Sequence, residues 1–332
     1  MKQISDIESQ IFEIKSDSEF NELAISIFLF QYHHNFIYKS YVNSLKIKPE
    51  LVKTINDIPF LPIEFFKTKT IICDELKPEA ICFSSSGTTG QTTSKHYVNS
   101  ISVYEKSFTK GFQFFYGDIK DYCILALLPS YLERGGSSLV YMANQLIKDS
   151  HHPLSGFYLD NLDELIFTIS LLKKQNQKTI LLGVSYALLD LADKNVQLSE
   201  NFIVMETGGM KGKREELTKE ALHQQLKEKF QIHNIHSEYG MTELLSQSYS
   251  TEKGIYKAVL WKRILVRDVN DPFSYVTHGK TGGINVIDLA NIYSCSFIET
   301  KDLGKLHSDN SFEIVGRFDV SDLRGCNLLI QN

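Results

Sequence analysis

Three features of the sequence predict an α/β chain built on a doubly wound, largely parallel sheet. Apolar runs of strand length alternate with helical stretches from residue 80 to residue 230. Their lengths suit crossover connections between parallel strands. Beyond about residue 245 the runs become short, β-rich and separated by turn residues, which predicts a smaller antiparallel subdomain packed beside the α/β part.

Taken in order, residues 5–46 read as helical, with Ile7, Ile11 and Phe12, then Phe20, Leu23, Ala24 and Phe28, at three- and four-residue spacing. The stretch Leu23 to Tyr38 lacks Asp, Glu, Lys and Arg. It holds Gln31, His33, His34 and Asn35, is too short and too polar to span a bilayer, and reads as a buried helix. Ile58-Pro59-Phe60-Leu61-Pro62 forces an extended connection. Ala80–Phe83 is the first strand, and Ser102–Phe115 is helical. Tyr122–Leu128 is a buried strand ended by Pro129, followed by helices over Ser138–Ile147 and Leu162–Lys174. Thr179–Val184 is a strand with a helix to about Ala192; Phe202–Met205 is another, with a charged helix over Lys213–Phe230. Ala258–Arg267, Gly283–Asp288 and Tyr293–Ile298 are the β-rich runs. The expected organisation is a helical segment over 1–75, a core over 76–315, and a hinge-like motif with a mobile tail over 316–332.

Composition bounds the function. With 332 residues, 42% apolar and 23% charged, the chain has the balance of a soluble globular protein. A net charge of −5 gives no footprint for nucleic acid or an anionic membrane. Met1 to Asp6 carries no signal-peptide core, so the cytoplasm is the expected compartment. The five cysteines, Cys73, Cys82, Cys123, Cys295 and Cys326, show no metal-knuckle or disulfide spacing. Cys82 and Cys123 sit in apolar runs and read as inert core residues.

The stretch richest in chemistry is Phe83-Ser84-Ser85-Ser86-Gly87-Thr88-Thr89-Gly90, followed by Gln91 to Lys95. Small hydroxyl residues let backbone N–H groups approach an anion, and glycines permit a tight loop. That suits a phosphate-bearing ligand, although a solvated Ser/Thr linker has the same composition. Gly279-Lys280-Thr281 ends like a Walker A loop, but Ser274 stands where its first glycine belongs. A second motif is Ser237-Glu238-Tyr239-Gly240-Met241-Thr242-Glu243, where an aromatic ring beside a glycine can stack on a base and Thr and Glu can reach a phosphate and its Mg²⁺. A third is Glu299 to Gly304 followed by Gly316-Arg317-Phe318-Asp319. Each alone is compatible with packing or surface charge.

In this order the three resemble the signatures of the adenylate-forming superfamily of acyl-CoA synthetases, peptide-synthetase adenylation domains and luciferases, over roughly residues 80–326. The resemblance implies the large N-terminal domain of those enzymes, without the C-terminal lysine domain, because the sequence stops at Asn332. It implies that Ser85, Ser86, Gly87, Thr88, Thr89 and Gly90 bind the phosphates of ATP. Tyr239 would stack on adenine, with Gly208, Gly209 and Gly240 beside it. Thr242 would contact the α-phosphate, Glu243 would hold Mg²⁺, Asp302 would bind the ribose hydroxyls, and Arg317 would lie near ribose and phosphate. Within the superfamily the chain is most similar to the LuxE-type acyl-protein synthetases. The shared features are the SSGTTG…S-x-H loop, Leu128-Pro129-Ser130-Tyr131-Leu132-Glu133-Arg134, and an Arg324-Gly325-Cys326 end. That branch implies activation of a carboxylic, expectedly fatty, acid as acyl-AMP. It also implies transfer to Cys326, whose thiolate the nearby Arg324 would favour, and delivery to an acyl reductase partner.

Two other readings fit parts of the sequence. Gly183-Val184-Ser185-Tyr186-Ala187 follows a strand and precedes a helix, as a serine hydrolase elbow would, with Asp268 or Asp288 and then His307 downstream. Alternatively, the chain binds a nucleotide or acyl group without turnover, as a subunit of an assembly. His233, His236 and Glu238 have a loose metal-ligand look but read as structural.

Overall fold

A computed structural model describes residues 4–85, 92–129, 136–210 and 212–318. Ser86 to Gly90, Asp319 and Cys326 therefore lie outside the described residues. The helical start is three helices, α1 (Ile4–Ile11), α2 (Asp17–His34) and α3 (Phe36–Ser44). Ser16 and Glu19 form a reciprocal capping box at the start of α2. Asn35 breaks the next helix from it: its Oδ1 accepts the Tyr38 N–H at 2.9 Å, and its Nδ2 donates to the Ser294 carbonyl at 3.0 Å. That second bond, with Gln31 Nε2 donating to the Asn291 carbonyl at 2.9 Å, fastens the helices to the far end of the chain.

Strand β1 (Leu61–Pro62) and the short helix α4 (Phe65–Thr68) lead to an antiparallel hairpin, β2 (Ile81–Ser84) and β3 (Lys95–Val98). The Ser/Thr/Gly stretch is the connection of this hairpin. Then follow α5 (Ile101–Tyr116), β4 (Cys123–Leu127), α6 (Ser138–Ser150), β5 (Gly156–Phe157), α7 (Leu162–Gln175), β6 (Thr179–Gly183), α8 (Ser185–Ala192), β7 (Phe202–Glu206), α9 (Lys219–Phe230) and β8 (Ile235–Tyr239). Strands β5, β4, β6, β7 and β8 lie parallel in that order, and every residue of β4 and β6 is buried. This is the continuous apolar pattern of a sheet covered on both faces.

The β-rich end supplies β9 (Ser248–Ser250), β10 (Ile255–Ala258), β11 (Lys262–Arg267), β12 (Thr281–Asp288), β13 (Phe297–Leu306) and β14 (Phe312–Arg317). These strands extend the parallel sheet through β8–β9 into one twelve-stranded mixed sheet, with β1 pairing β13, rather than forming a sheet of their own. The helix expected from Lys213 begins at Lys219, because the Thr218 hydroxyl caps the Ala221 N–H. Tyr293 to Ser296 is a turn, and the strand expected there starts at Phe297.

Strands β13 and β14 approach closely at a register shift between Leu303 and Gly304. A Cβ at Gly304 would lie 2.3 Å from the Glu313 carbonyl oxygen, a backbone atom with little freedom to retreat. Gly304→Ala is therefore expected to cost about 1–3 kcal/mol, the range for forced overpacking. It should also loosen the pairing of Asp302 with Arg317; urea denaturation checks the first effect and nucleotide titration the second.

Candidate active site

The candidate residues gather where the parallel strands end, outside their carboxyl edge, where open α/β sheets place their ligands. Strand β7 ends in Glu206 and leads into Thr207, Gly208 and Gly209; β8 ends in Tyr239 and leads into Gly240, Met241 and Thr242. Gly208 and Gly209 have φ of 77° and 92°, the left-handed region that glycine enters without strain. Asp302 on β13 and Arg317 on β14 face each other in register.

These segments enclose a cleft of about 620 Å³, whose walls include Gly208, Gly209, Tyr239, Gly240, Asp302 and Arg317. Six of the residues named from sequence thus share one cavity. A second hollow of about 210 Å³ adjoins it and shares Gly208, Gly240 and Met241. Ser84, at the root of the Ser/Thr/Gly loop, and Thr242 line this second space. The loop's described margin therefore borders the cavity system that holds Tyr239 and Asp302. Ser85 is part of the hairpin neck: its N–H donates to the Ser94 carbonyl at 3.1 Å, and its hydroxyl accepts the Ser94 N–H at 2.9 Å.

The Tyr239 hydroxyl donates to Asp302 Oδ2 at 2.7 Å, while Arg317 Nε lies 3.0 Å from Asp302 Oδ1. Burial, with the Asp302 charge adding to it, holds the Tyr239 phenol well above its ordinary range. The Tyr239 ring packs edge-on against Phe312 at 5.8 Å, and Lys262 Nζ sits 5.3 Å from its centroid. Lys262 is fully buried on β11 and donates to the Ser246 carbonyl at 2.8 Å; burial brings its ammonium down to about 8, against the pull of Asp288 and Glu238.

Glu243 is buried and lines neither hollow. Burial raises its carboxyl, opposed by a hydrogen bond from the Ser94 side chain, which ties it to the hairpin behind the loop. The hairpin is fastened a second time by His96. Its Nδ1 lies 2.8 Å from the Thr242 carbonyl, which only accepts, so Nδ1 carries the proton and the buried Nε2 has no partner. Burial lowers this imidazole to about 4, so it is neutral in the fold.

Other residues were not assigned from sequence. Glu206 is buried under the Gly208 turn: Oε2 accepts the Gly208 N–H at 2.7 Å, and Oε1 accepts Lys219 Nζ at 2.6 Å. Its signal was a lone acid closing an apolar strand just before Thr207-Gly208-Gly209. Glu238, quoted with the second motif and read as structural, lies against Gly240, where a Cβ would stand 2.5 Å from its Oε1.

The residues of the hydrolase reading are engaged otherwise: Ser185 is buried at the first turn of α8, His307 pairs with Glu313 at 2.9 Å, Asp268 Oδ1 accepts the Asn270 N–H at 2.7 Å, and Asp288 accepts Leu245 N–H at 2.8 Å and Ser246 N–H at 2.9 Å. Gly183 is a packing glycine, since a Cβ there would lie 2.9 Å from Leu127 Cβ. His236 bonds the Tyr116 hydroxyl at 3.2 Å, and among the described residues no group of three His, Cys, Asp or Glu could hold a metal. Among the described helices, none is long and apolar enough to cross a membrane.

Solved structures of similar fold include a CoA ligase and MatB. The 2-hydroxyisobutyryl-CoA ligase in a postadenylation state with 2-HIB-AMP has a TM-score of 0.69 and 12% identity; the match covers 94% of this chain and 70% of that one. ATP-bound MatB from Rhodopseudomonas palustris has a TM-score of 0.50 and 18% identity, covering 71% of this chain and 47% of that one. The chain thus spans about half the length of MatB. No curated protein matches the sequence. The family model described as acyl-protein synthetase, LuxE, matches residues 7–332, and the chain belongs to that family.

Proposed function

We propose that this protein activates a carboxylic acid with ATP and stores the acyl group on its own Cys326 as a thioester. A carboxylate oxygen attacks the α-phosphorus of ATP, giving acyl-AMP and pyrophosphate; the Cys326 thiolate then attacks the acyl carbonyl and releases AMP. The observation that carries the reading is the sharing of one cavity system by the Gly208 turn, Tyr239, Asp302, Arg317, Ser84 and Thr242. Family membership supports acyl activation through acyl-AMP.

Each group has a task under this reading. Tyr239 and the Gly208–Gly209 turn flank the base, and Asp302 takes the ribose hydroxyls. Thr242 and the loop from Ser85 to Gly90 hold phosphate oxygens, and Arg317, which is 72% exposed, is free to swing toward them. Glu243 is the carboxylate proposed to hold Mg²⁺; because it lines neither hollow and is bonded by Ser94, that role requires it to turn from Ser94 toward the phosphates. When bound, the ion would neutralise charge on the departing pyrophosphate. The proposed recipient of the thioester is an acyl reductase.

Incubation with ATP, Mg²⁺ and a panel of acids, followed by mass spectrometry, tests the scheme. A hydroxylamine-labile acyl adduct on Cys326 is expected, and Cys326→Ser should abolish it while pyrophosphate release continues. Adduct persisting in the variant, or located on another residue, would sink the assignment of the acceptor.

A further inference from the structure

The larger cleft takes the base and ribose; the second hollow, which Thr242 and Ser84 line, takes the α-phosphate at its mouth and leaves the space beyond Gly240 for the acid. Resting on the adenylation reading above, we propose that the acid is short and carries a hydrogen-bond donor, an ammonium or a hydroxyl, rather than being a long-chain fatty acid.

The position of the hollow makes it the acyl site. The acid's carboxylate must meet the α-phosphate beside Thr242 and the loop, and this space opens from there while sharing Gly208 and Gly240 with the nucleotide cleft. Its size is about 210 Å³. A cavity of roughly 150 Å³ holds benzene, and tetradecanoate has more than twice benzene's carbons.

The walls decide more than the volume does. Among the described residues they include Ser84, Ser137, Ser138, Thr207, Glu238 and Gln247, with Leu139, Val184 and Met241 supplying the apolar part. Ligand pockets for apolar groups are lined mostly by hydrophobic side chains. Two polar atoms here are buried without a partner, Thr207 Oγ1 and Gln247 Oε1. Gln247 is only 6% exposed and Glu238 only 8%. The Gln247 amide is oriented by its neighbour: the Tyr104 hydroxyl gives its proton to the Ser138 carbonyl at 3.0 Å, so toward Gln247 it can only accept. That puts the amide nitrogen on Tyr104 and leaves Oε1 as an orphan acceptor. Gln247 Oε1 and Thr207 Oγ1 are therefore acceptors without donors, and the Glu238 carboxyl stands on the same wall. Methylenes placed there would leave them desolvated and unpaired, whereas an ammonium or hydroxyl would satisfy them. Burial pushes the Glu238 carboxyl up to about 7 against the pull of Lys262, and a donor arriving beside it favours its ionised form.

The test uses the full chain, ATP–pyrophosphate exchange, and four acids: 3-aminobutyrate, 3-hydroxybutyrate, butyrate and tetradecanoate. At least one donor-bearing acid should exceed butyrate and tetradecanoate by about tenfold or more in kcat/KM, the scale of one satisfied polar contact. Equal or better exchange with butyrate or tetradecanoate overturns the proposal. Glu238→Gln separates the two donors: a KM increase confined to the amino acid points to the ammonium, and an increase for both points to the hydroxyl. Gln247→Leu should move preference toward butyrate, and unchanged preference in both variants overturns the proposal. Thermal stabilisation by each acid with AMP present is read in parallel. Stabilisation by the donor-bearing acids without any exchange keeps the pocket and removes the adenylation chemistry; no stabilisation by either one removes the pocket.

Discussion

Glu206→Ala is expected to lose about 3–5 kcal/mol of folding stability, the cost of breaking a buried ion pair by deleting one partner. The carboxylate is 1% exposed and serves four neighbours, the Ser237 side chain among them. Lys219 Nζ donates to it at 2.6 Å, His223 Nε2 lies 3.5 Å away, and the Gly208 N–H donates to its other oxygen at 2.7 Å. Burial alone would raise this acid, yet His223 and Lys219 outweigh it and hold the carboxyl at about 2. Deletion leaves the Lys219 ammonium with Tyr256 alone and frees the Gly208 turn, so nucleotide affinity should fall with stability. Glu206→Gln keeps the shape and an acceptor and should cost less.

The pH dependence carries a sign. A carboxyl depressed in the fold contributes stability that is complete above its ordinary value of 4.5 and is lost as pH falls toward about 2. His96 and His236, lowered by burial from 6.5 to about 4, erode stability at milder acidity. The difference between wild type and Glu206→Gln therefore isolates Glu206: the two acid-denaturation curves should converge below pH 4.5. Parallel curves down to pH 2 would mean that the ion pair contributes nothing.

Glu206 also marks the boundary of what the sequence discloses. Strands such as Cys123–Leu127 and Thr179–Gly183 were legible because both faces are buried, which leaves an unbroken apolar run. Tyr239, Gly240, Asp302 and Arg317 were picked out because they match the residue types of a family signature, and the fold brings all four to one cleft. Strand β8 was hidden by the polar run Ile235-His236-Ser237-Glu238-Tyr239, whose Ser237 and Glu238 are buried in polar company. The continuity of the sheet from β8 into β9 was hidden as well, since pairing partners far apart in sequence leave no local periodicity. Orphan acceptors such as Gln247 Oε1 are visible only once their neighbours are in place, so the polarity of the second hollow had no counterpart in composition.

Asp302→Asn should weaken ATP binding about 10- to 100-fold by isothermal titration. In the free protein this carboxylate holds the Tyr239 hydroxyl at 2.7 Å and Arg317 Nε at 3.0 Å, two of roughly four lone-pair sites. The remaining sites suit a vicinal diol, and hydrogen bonds to a charged acceptor contribute about 1.5–3 kcal/mol each. At about 1.4 kcal/mol per tenfold, losing the equivalent of one such bond gives the stated range. The contact with Arg317 is a weak competitor, because a side chain that exposed gains about 0–1 kcal/mol from an ion pair. Tyr239→Phe separates the two roles that Asp302 could play. If the acid acts on the ribose, removing the phenol hydroxyl leaves the carboxylate in place and costs far less affinity than Asp302→Asn. If it merely braces Tyr239, the two variants should lose stability together and bind ATP alike.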